Sequence, residues 1–219
     1  MEQQEKYVVF FDLDKTLLNI NSSVPLILAA YKKGLLKTPS LLKAVMLSVI
    51  YKLRLGNTIN ITESMASWLN GLHESTVIEL SGQLVKEKLI HKIRPSVIEE
   101  IKRHKTRGAR MVILSASLPY TCEPIARHLK FDDVLCSSME VVEGVFTGKP
   151  LGNICIEKEK EIRMRDYCLE KAFNLQDVWC FGDSYSDRFI MEICGNPVCV
   201  HPDSRLRKLA KNKNWKLMN

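Results

Sequence analysis

Between Leu17 and Thr62 the chain has no aspartate or glutamate, although the 219-residue sequence holds 25 acidic residues elsewhere. The same stretch carries Lys32, Lys33, Lys37, Lys43, Lys52 and Arg54, so most of the net charge of +7 sits there. A surface of that sign attracts phosphate esters or an anionic membrane. No apolar run reaches the roughly 18–20 residues that span a bilayer, which excludes a simple transmembrane helix. The leader Met1–Lys6 has no basic region followed by an apolar one, which argues against a secretory signal. The seven cysteines (122, 136, 155, 168, 180, 194 and 199) are odd in number and form no Cys-x-x-Cys pair. That pattern disfavours zinc and fits buried thiols in a reducing compartment. There are no internal repeats or low-complexity segments. Helix-turn-helix, zinc-finger and aromatic-basic signals are also missing, so no nucleic-acid partner is expected. These absences predict a cytoplasmic protein, with peripheral contact to an anionic membrane as the alternative.

What is present begins with Tyr7-Val8-Val9-Phe10-Phe11, a short β-branched and aromatic run that reads as a buried parallel strand. The pattern then turns helical for about seventy residues, with helices expected at 22–33, 41–53, 62–70 and 74–90. Leu41, Leu42, Val45, Met46, Val49, Ile50 and Leu53 recur at helical spacing, and Gly56-Asn57 ends that helix. The simplest expectation is that this stripe packs inside the helical segment. Alternation resumes at Arg94-Pro95, with a helix to His104 or Lys105 and a strand at Ala109–Leu114. A helix at Tyr120–Leu129, a strand near Val134-Leu135 and a hairpin around Glu143-Gly144 come next. They are followed by a charged helix at 157–172, a strand at Val178–Phe181 and a last strand at Val198–Val200. The fold class is therefore α/β, a mostly parallel sheet covered by helices. Residues 1–16 and 92–219 are expected to form the core, and residues 17–91 an all-helical cap over the sheet's carboxyl edge.

Asp12 and Asp14 follow the first strand, where open α/β sheets bind ligands. If strand alternation continues, both point the same way, and two packed carboxylates call for a cation between them. Asp-x-Asp-x-Thr also occurs in ordinary turns, so the pair alone does not decide. Three further groups fall where phosphoryl transfer needs them: Ser115 after the second strand, Lys160 in the charged helix, and Gly182-Asp183-Ser184-x-x-Asp187 after a later strand. Together they offer a nucleophile, a metal site, positive charge for phosphoryl oxygens and a proton donor. Each has a plainer reading too. A serine after a buried strand is commonly a helix cap, and Lys158 or Lys160 in Glu-Lys-Glu-Lys-Glu is commonly a solvated helix face.

The set, in this order, resembles the haloacid dehalogenase superfamily. Ser115-Ala116-Ser117-Leu118-Pro119, Glu143-Gly144-x-x-Thr147-Gly148, Gly152-Asn153-x-Cys155, Asn196-Pro197-Val198 and His201-Pro202-Asp203 are similar to its phosphoserine-phosphatase-like branch, subfamily IB. The resemblance implies a Rossmann-like core and a Mg²⁺-dependent phosphatase. In it Asp12 becomes an aspartyl-phosphate and Asp14 acts as acid and then base. It places Mg²⁺ on Asp12, the Asp14 backbone carbonyl and Asp183. Ser115, the backbone near Ala116 and Lys160 would bind phosphoryl oxygens. Asp187 would orient Lys160 or a metal-bound water, and the Thr16 hydroxyl would bond the loop that holds Asp12. The family's spacing after Cys155 selects Lys160 over Lys158, but Glu157 stands where a glycine is usual.

The substrate is a separate question. Phosphoserine phosphatases of this branch carry a glutamate soon after the first motif, a cap arginine and a Ser-Gly-Gly turn. Here no acid follows until Glu63, and the turn reads Ser-Ala-Ser. The expectation is a small-molecule phosphomonoester chosen by the cap. A lipid phosphomonoester, as in phosphatidylglycerophosphatases, is the alternative that the basic segment favours. Phosphoserine, phosphoryl transfer to another acceptor, and an inactive ligand- or partner-binding module are the remaining alternatives. Oligomeric state is not legible.

Overall fold

The computed structural model describes residues 7–53, 60–61, 64 and 66–219. Strand β1 (Tyr7–Phe11) lies mid-sheet, between β2 (Ala109–Ser115) and β6 (Trp179–Gly182). Around them β3 (Asp133–Cys136), β7 (Asn196–Val200) and β8 (Lys216–Met218) complete a six-stranded sheet in the order β3-β2-β1-β6-β7-β8. Every pairing in it is parallel. β4 (Met139–Val142) and β5 (Val145–Pro150) form a separate antiparallel hairpin. Residue-by-residue alternation sorts β1 onto the two faces. Val9 and Phe11 join Met111, Ile113, Phe181 and Val198 in one core, while Val8 and Phe10 join Val112, Leu114, Cys180 and Cys199 in the other. The first core is covered by α4 (Pro95–Thr106) and α5 (Pro119–Leu129), the second by α6 (Lys158–Glu170), the short α7 (Arg188–Met191) and α8 (Ser204–Lys213). Phe11 stacks on Phe181 with ring centroids 4.4 Å apart. Burying side chains of this size stabilises the fold by about 1.5–3 kcal/mol each, which explains an apolar β1 without a polar face.

Helices α1 (Ser23–Lys32), α2 (Thr38–Leu53) and α3 (Glu74–Leu84) fall between β1 and β2 in the chain. The chain leaves and returns through paired backbone. Asn19 N–H donates to Lys92 O at 2.8 Å, Arg94 N–H donates to Leu17 O at 2.9 Å, and Leu18 bridges Ile93. The hairpin reaches this segment as well: Met139 and Phe146 pack with Leu69 and Val77, and Gly71 and Leu72 exchange backbone bonds with Phe146.

Five expectations need correction. The apolar stripe of α2 is interior only in part: Leu41 packs on the first core, whereas Leu42 is 64 %, Val45 53 % and Met46 56 % exposed, and the buried Ala44 lies off the stripe. Hydrophobic periodicity identified the helix without showing which face packs. The segment expected as a helix over 74–90 ends as α3 at Leu84 and continues through wider and tighter turns, Val85–Leu89 and Ile90–Lys92. Val198–Val200 is not the last strand: β8 follows, too short and too charged at Lys216 to stand out. Alternation does not extend beyond Phe11, because Leu13–Leu17 forms a wide turn with Leu17 N–H on Asp12 O and Leu18 N–H on Leu13 O. The Thr16 hydroxyl is buried without a hydrogen-bond partner, so the backbone bond from Leu17 closes that loop instead. Gly56-Asn57, Arg54 and Glu63 lie outside the described residues, as do residues 62 and 65 of the helix expected over 62–70. Its described part includes a single tight turn at Ser67–Leu69.

Candidate active site

Sheet order decides where the site lies. From β1 the chain builds β2 and β3 on one side, then crosses to build β6, β7 and β8 on the other. Ligands in such sheets bind at the carboxyl ends of the strands where the order reverses. Asp12 follows β1, Ser115 ends β2 and Asp183 follows β6, so three neighbouring strands deliver these residues to one rim. They line a cavity of about 230 Å³ together with Asp14, Ala116, Lys160 and Asp187.

The wide turn after β1 brings Asp14 into that cavity, with Lys15 at φ 61° completing the bend. Asp12 N–H donates to Phe181 O at 2.9 Å, which fixes the end of β1 against β6. Lys160 is only 3 % exposed, and its ammonium donates to Asp12 Oδ1 and to Asp187 Oδ1, both at 2.7 Å. Burial works against the Lys160 charge, but Asp12 and Asp187 outweigh it and hold the ammonium protonated. Lys158, by contrast, is exposed and pairs with Glu161 at 2.6 Å.

Asp187 has both oxygens committed: Oδ1 to Lys160, and Oδ2 to the Ser184 backbone N–H and hydroxyl at 3.1 Å each. Gly182 permits this seat, because a Cβ there would lie 2.8 Å from the Asp187 carboxyl. Asp203 holds the same loop from outside. Its N–H donates to Asp183 O at 2.8 Å, and its carboxylate accepts from Tyr185 N–H at 3.0 Å while capping α8.

Asp12, Asp183 and Asp187 each place a carboxylate oxygen within 4.8 Å of the others. Burial first, and then the negative charges of Asp187 and Asp12, push the Asp183 carboxyl up to about 9. Burial also raises Asp12, opposed by Lys160 and reinforced by Asp187 and Asp14. Three carboxylates against one lysine leave a deficit of two positive charges. An all-oxygen set with that deficit fits a hard divalent ion such as Mg²⁺.

Asp14 faces a different set of donors. Its Oδ1 accepts the Ser22 N–H at 2.7 Å and its Oδ2 accepts the Ser117 hydroxyl at 2.9 Å. Burial raises this carboxyl, and the Ser22 and Ser117 bonds oppose the shift. Ser115 is buried with its hydroxyl accepting Ser117 N–H at 3.2 Å. Of the residues singled out from sequence, Asp12, Asp14, Ser115, Ala116, Lys160, Asp183 and Asp187 share the cavity wall, and Thr16 is buried outside that lining. Sequence reading missed Ser22, Ser117 and Asp203 as parts of the site. Ser117 stood two residues from Ser115 in a quoted motif, whereas nothing about Ser22 distinguished it.

The family model for haloacid dehalogenase-like hydrolases matches residues 9–192. The chain belongs to this family. Among its relatives is an "inhibition of morphological differentiation protein" of Streptomyces azureus, 28 % identical over 215 residues, covering 96 % of this chain and 77 % of that one. Phosphoserine phosphatase SerB1 of Mycobacterium tuberculosis is 26 % identical over 217 residues, covering 95 % and 69 % respectively. A substrate-bound phosphoserine phosphatase structure superposes with a TM-score of 0.75 at 18 % identity, over 99 % of this chain and 94 % of that one. That last likeness is one of fold. As a haloacid dehalogenase-like hydrolase, the chain is an enzyme whose six-stranded parallel sheet matches its structural neighbours.

Proposed function

We propose that this hydrolase is a Mg²⁺-dependent phosphomonoesterase acting through an aspartyl-phosphate on Asp12. The observation that carries this reading is the buried Lys160 ammonium shared by Asp12 and Asp187 at 2.7 Å, beside an Asp183 carboxylate that it does not bond. Because both Asp187 oxygens are committed, the ion is assigned to Asp12, Asp183 and the Asp14 backbone carbonyl, with Asp187 orienting Lys160. Bound there, Mg²⁺ supplies positive charge to the phosphoryl group.

An Asp12 carboxylate oxygen attacks phosphorus, and the ester P–O bond breaks. Asp14 gives its proton to the departing oxygen, then takes one from the water that attacks the aspartyl-phosphate, releasing phosphate and restoring the Asp12 carboxylate. Ser115 and the neighbouring backbone N–H groups hold phosphoryl oxygens, while Lys160 balances their charge.

Residues 17–91 act in this reading as the cap that selects the leaving group. Beyond the catalytic groups, the cavity is lined by Leu26, Ile27, Trp68, Leu118, Met139 and Ile156, with serine hydroxyls between them. Among the described residues, these outer walls offer no carboxylate to take an ammonium group, which favours an uncharged leaving group over an amino-acid phosphate. A Mg²⁺-supplemented screen of sugar, amino-acid, nucleotide, alkyl and lipid phosphates tests this. Turnover led by phosphoserine would contradict it. Product analysis with added alcohols separates hydrolysis from phosphoryl transfer, and unchanged turnover in Asp12→Asn would defeat the aspartyl-phosphate mechanism.

A second reading, a lipid phosphomonoester, is favoured by one observation. Leu42, Val45 and Met46 of α2 and Val24 and Leu28 of α1 are exposed, on a segment whose exposed charges include Lys32, Lys33, Lys37 and Lys43. Among the described residues, no helix is long and apolar enough to cross a membrane, so such contact would be peripheral. Sedimentation with anionic but not neutral vesicles at low salt supports this reading, and failure to sediment removes it.

A further inference from the structure

The Asp14 carboxyl is gripped from two sides by groups that belong to different parts of the chain. On one side the Ser22 N–H, at the start of α1, donates to Oδ1 at 2.7 Å. On the other the Ser117 hydroxyl, in the loop after β2, donates to Oδ2 at 2.9 Å. Ser22 and Ser117 also meet each other, Oγ to Oγ, at 3.4 Å. Asp14 needs such a grip, because it projects from an irregular turn rather than from the pleated strand.

The chemistry of the two donors differs. A backbone N–H can only donate, so Oδ1 remains an acceptor in every protonation state. The Ser117 hydroxyl on Oδ2, by contrast, can rotate to suit either protonation state of the carboxyl. That oxygen has two lone-pair directions, and the Ser117 hydroxyl occupies one of them. The other is left for a proton aimed at the leaving group. Ser117 thus fixes the rotation of the carboxyl and, with it, the direction of proton transfer.

We propose that Ser117 is a positioning residue for the acid–base carboxyl of Asp14, and that the Ser22 N–H makes its orientation depend on the seating of α1. This inference rests on the phosphomonoesterase reading above. It predicts selective damage: a misdirected acid harms esters whose leaving alcohol needs a proton, and spares those whose leaving group departs without one.

The test measures kcat/KM, which reports formation of the aspartyl-phosphate, for β-glycerophosphate and for p-nitrophenyl phosphate with Mg²⁺. Ser117→Ala is expected to lower the value for the alkyl ester by about 10–100-fold, part of the 10²–10⁴ typical of general acid catalysis, and to change the aryl ester by less than about threefold. Ser117→Thr, which keeps the hydroxyl, is expected to restore most of the loss. Ser22→Ala keeps the N–H and removes only the hydroxyl that meets Ser117, so it is the reference against which Ser22→Pro is read. Ser22→Pro removes the N–H at a position whose φ of −70° suits proline, and should reproduce the selective loss. Thermal melting shows whether each variant folds. Equal losses on both esters in a folded Ser117→Ala protein, or no loss on either, overturn the inference. Absence of Mg²⁺-dependent turnover in the wild type would instead overturn the phosphomonoesterase reading beneath it.

Discussion

The Nζ of Lys160 lies 2.7 Å from Oδ1 of Asp12, although 148 residues separate them in the chain. The contact joins the start of α6 to the end of β1 and sets the charge balance of the site. A third partner, Asp187, completes the bridge from the loop after β6.

Removing that ammonium leaves buried carboxylates without their cation. Lys160→Met is expected to lower kcat by at least about 100-fold, by analogy with the loss of a single charge-stabilising donor. It is also expected to destabilise the Mg²⁺-free protein by about 3–5 kcal/mol, as for a broken buried ion pair. Steady-state kinetics and urea unfolding without metal check both. Wild-type stability in Lys160→Met would contradict the assigned pairing.

Glu157 immediately precedes α6 at φ 50° and ψ −120°, a conformation that suits glycine and strains any side chain. It is also the position where the resembling family has glycine. Glu157→Gly is expected to raise stability by about 1 kcal/mol, of the order stored in one strained residue, and to leave kcat within about twofold. Unfolding midpoints and initial rates measure the two effects, and a destabilised variant would count against the strain.

Gly182 carries the opposite expectation. A methyl group there meets the Asp187 carboxyl at 2.8 Å, so Gly182→Ala must displace Asp187 and loosen its hold on Lys160. Stability should fall by about 1–3 kcal/mol, the usual range for overpacking, and kcat should fall with it. A variant with both values unchanged would show that Asp187 can move without consequence.

A pH effect on stability comes from His104. It is buried in α4 against Tyr7 and Trp179, with Nδ1 sharing a 2.8 Å hydrogen bond with the Tyr7 hydroxyl. Burial pushes its imidazole down to about 4. Arg103, Arg107 and Lys216 add to the effect and Glu100 opposes it. Between that value and the ordinary 6.5 the unfolded chain binds the extra proton, so this contribution to stability is full above pH 6.5 and is lost as pH falls toward 4. The slope from one proton is at most about 1.4 kcal/mol per pH unit. Urea midpoints measured from pH 7 to pH 4.5 should fall less steeply in His104→Gln than in the wild type. Equal slopes would contradict the assignment.

Much of this fold could be read from the chain because local pattern and burial agree there. β1, β2 and β6 are apolar runs buried on both faces, and Pro95, Gly108 and Glu143-Gly144 mark boundaries close to those observed. The helical segment was harder to read. On α2 Leu42, Val45 and Met46 are exposed while Leu41 and Ala44 pack inward, so periodicity gave the helix without its buried face. β8 is three residues long and begins with the charged Lys216, which leaves no pattern to detect. Within the site, Asp12, Ser115 and Asp183 follow from strand ends. The grip on Asp14 does not, because the Ser22 contribution is a backbone N–H that any residue except proline could supply.

The central claim is that Asp12 carries the phosphoryl group during turnover. Acid quenching of the enzyme during Mg²⁺-dependent turnover, followed by peptide mass spectrometry, tests it most directly. The account predicts one added phosphoryl group on the peptide containing Asp12, absent without Mg²⁺ and absent in Asp12→Asn. Undiminished turnover by Asp12→Asn, or a phosphoryl group trapped on any other residue, would contradict it.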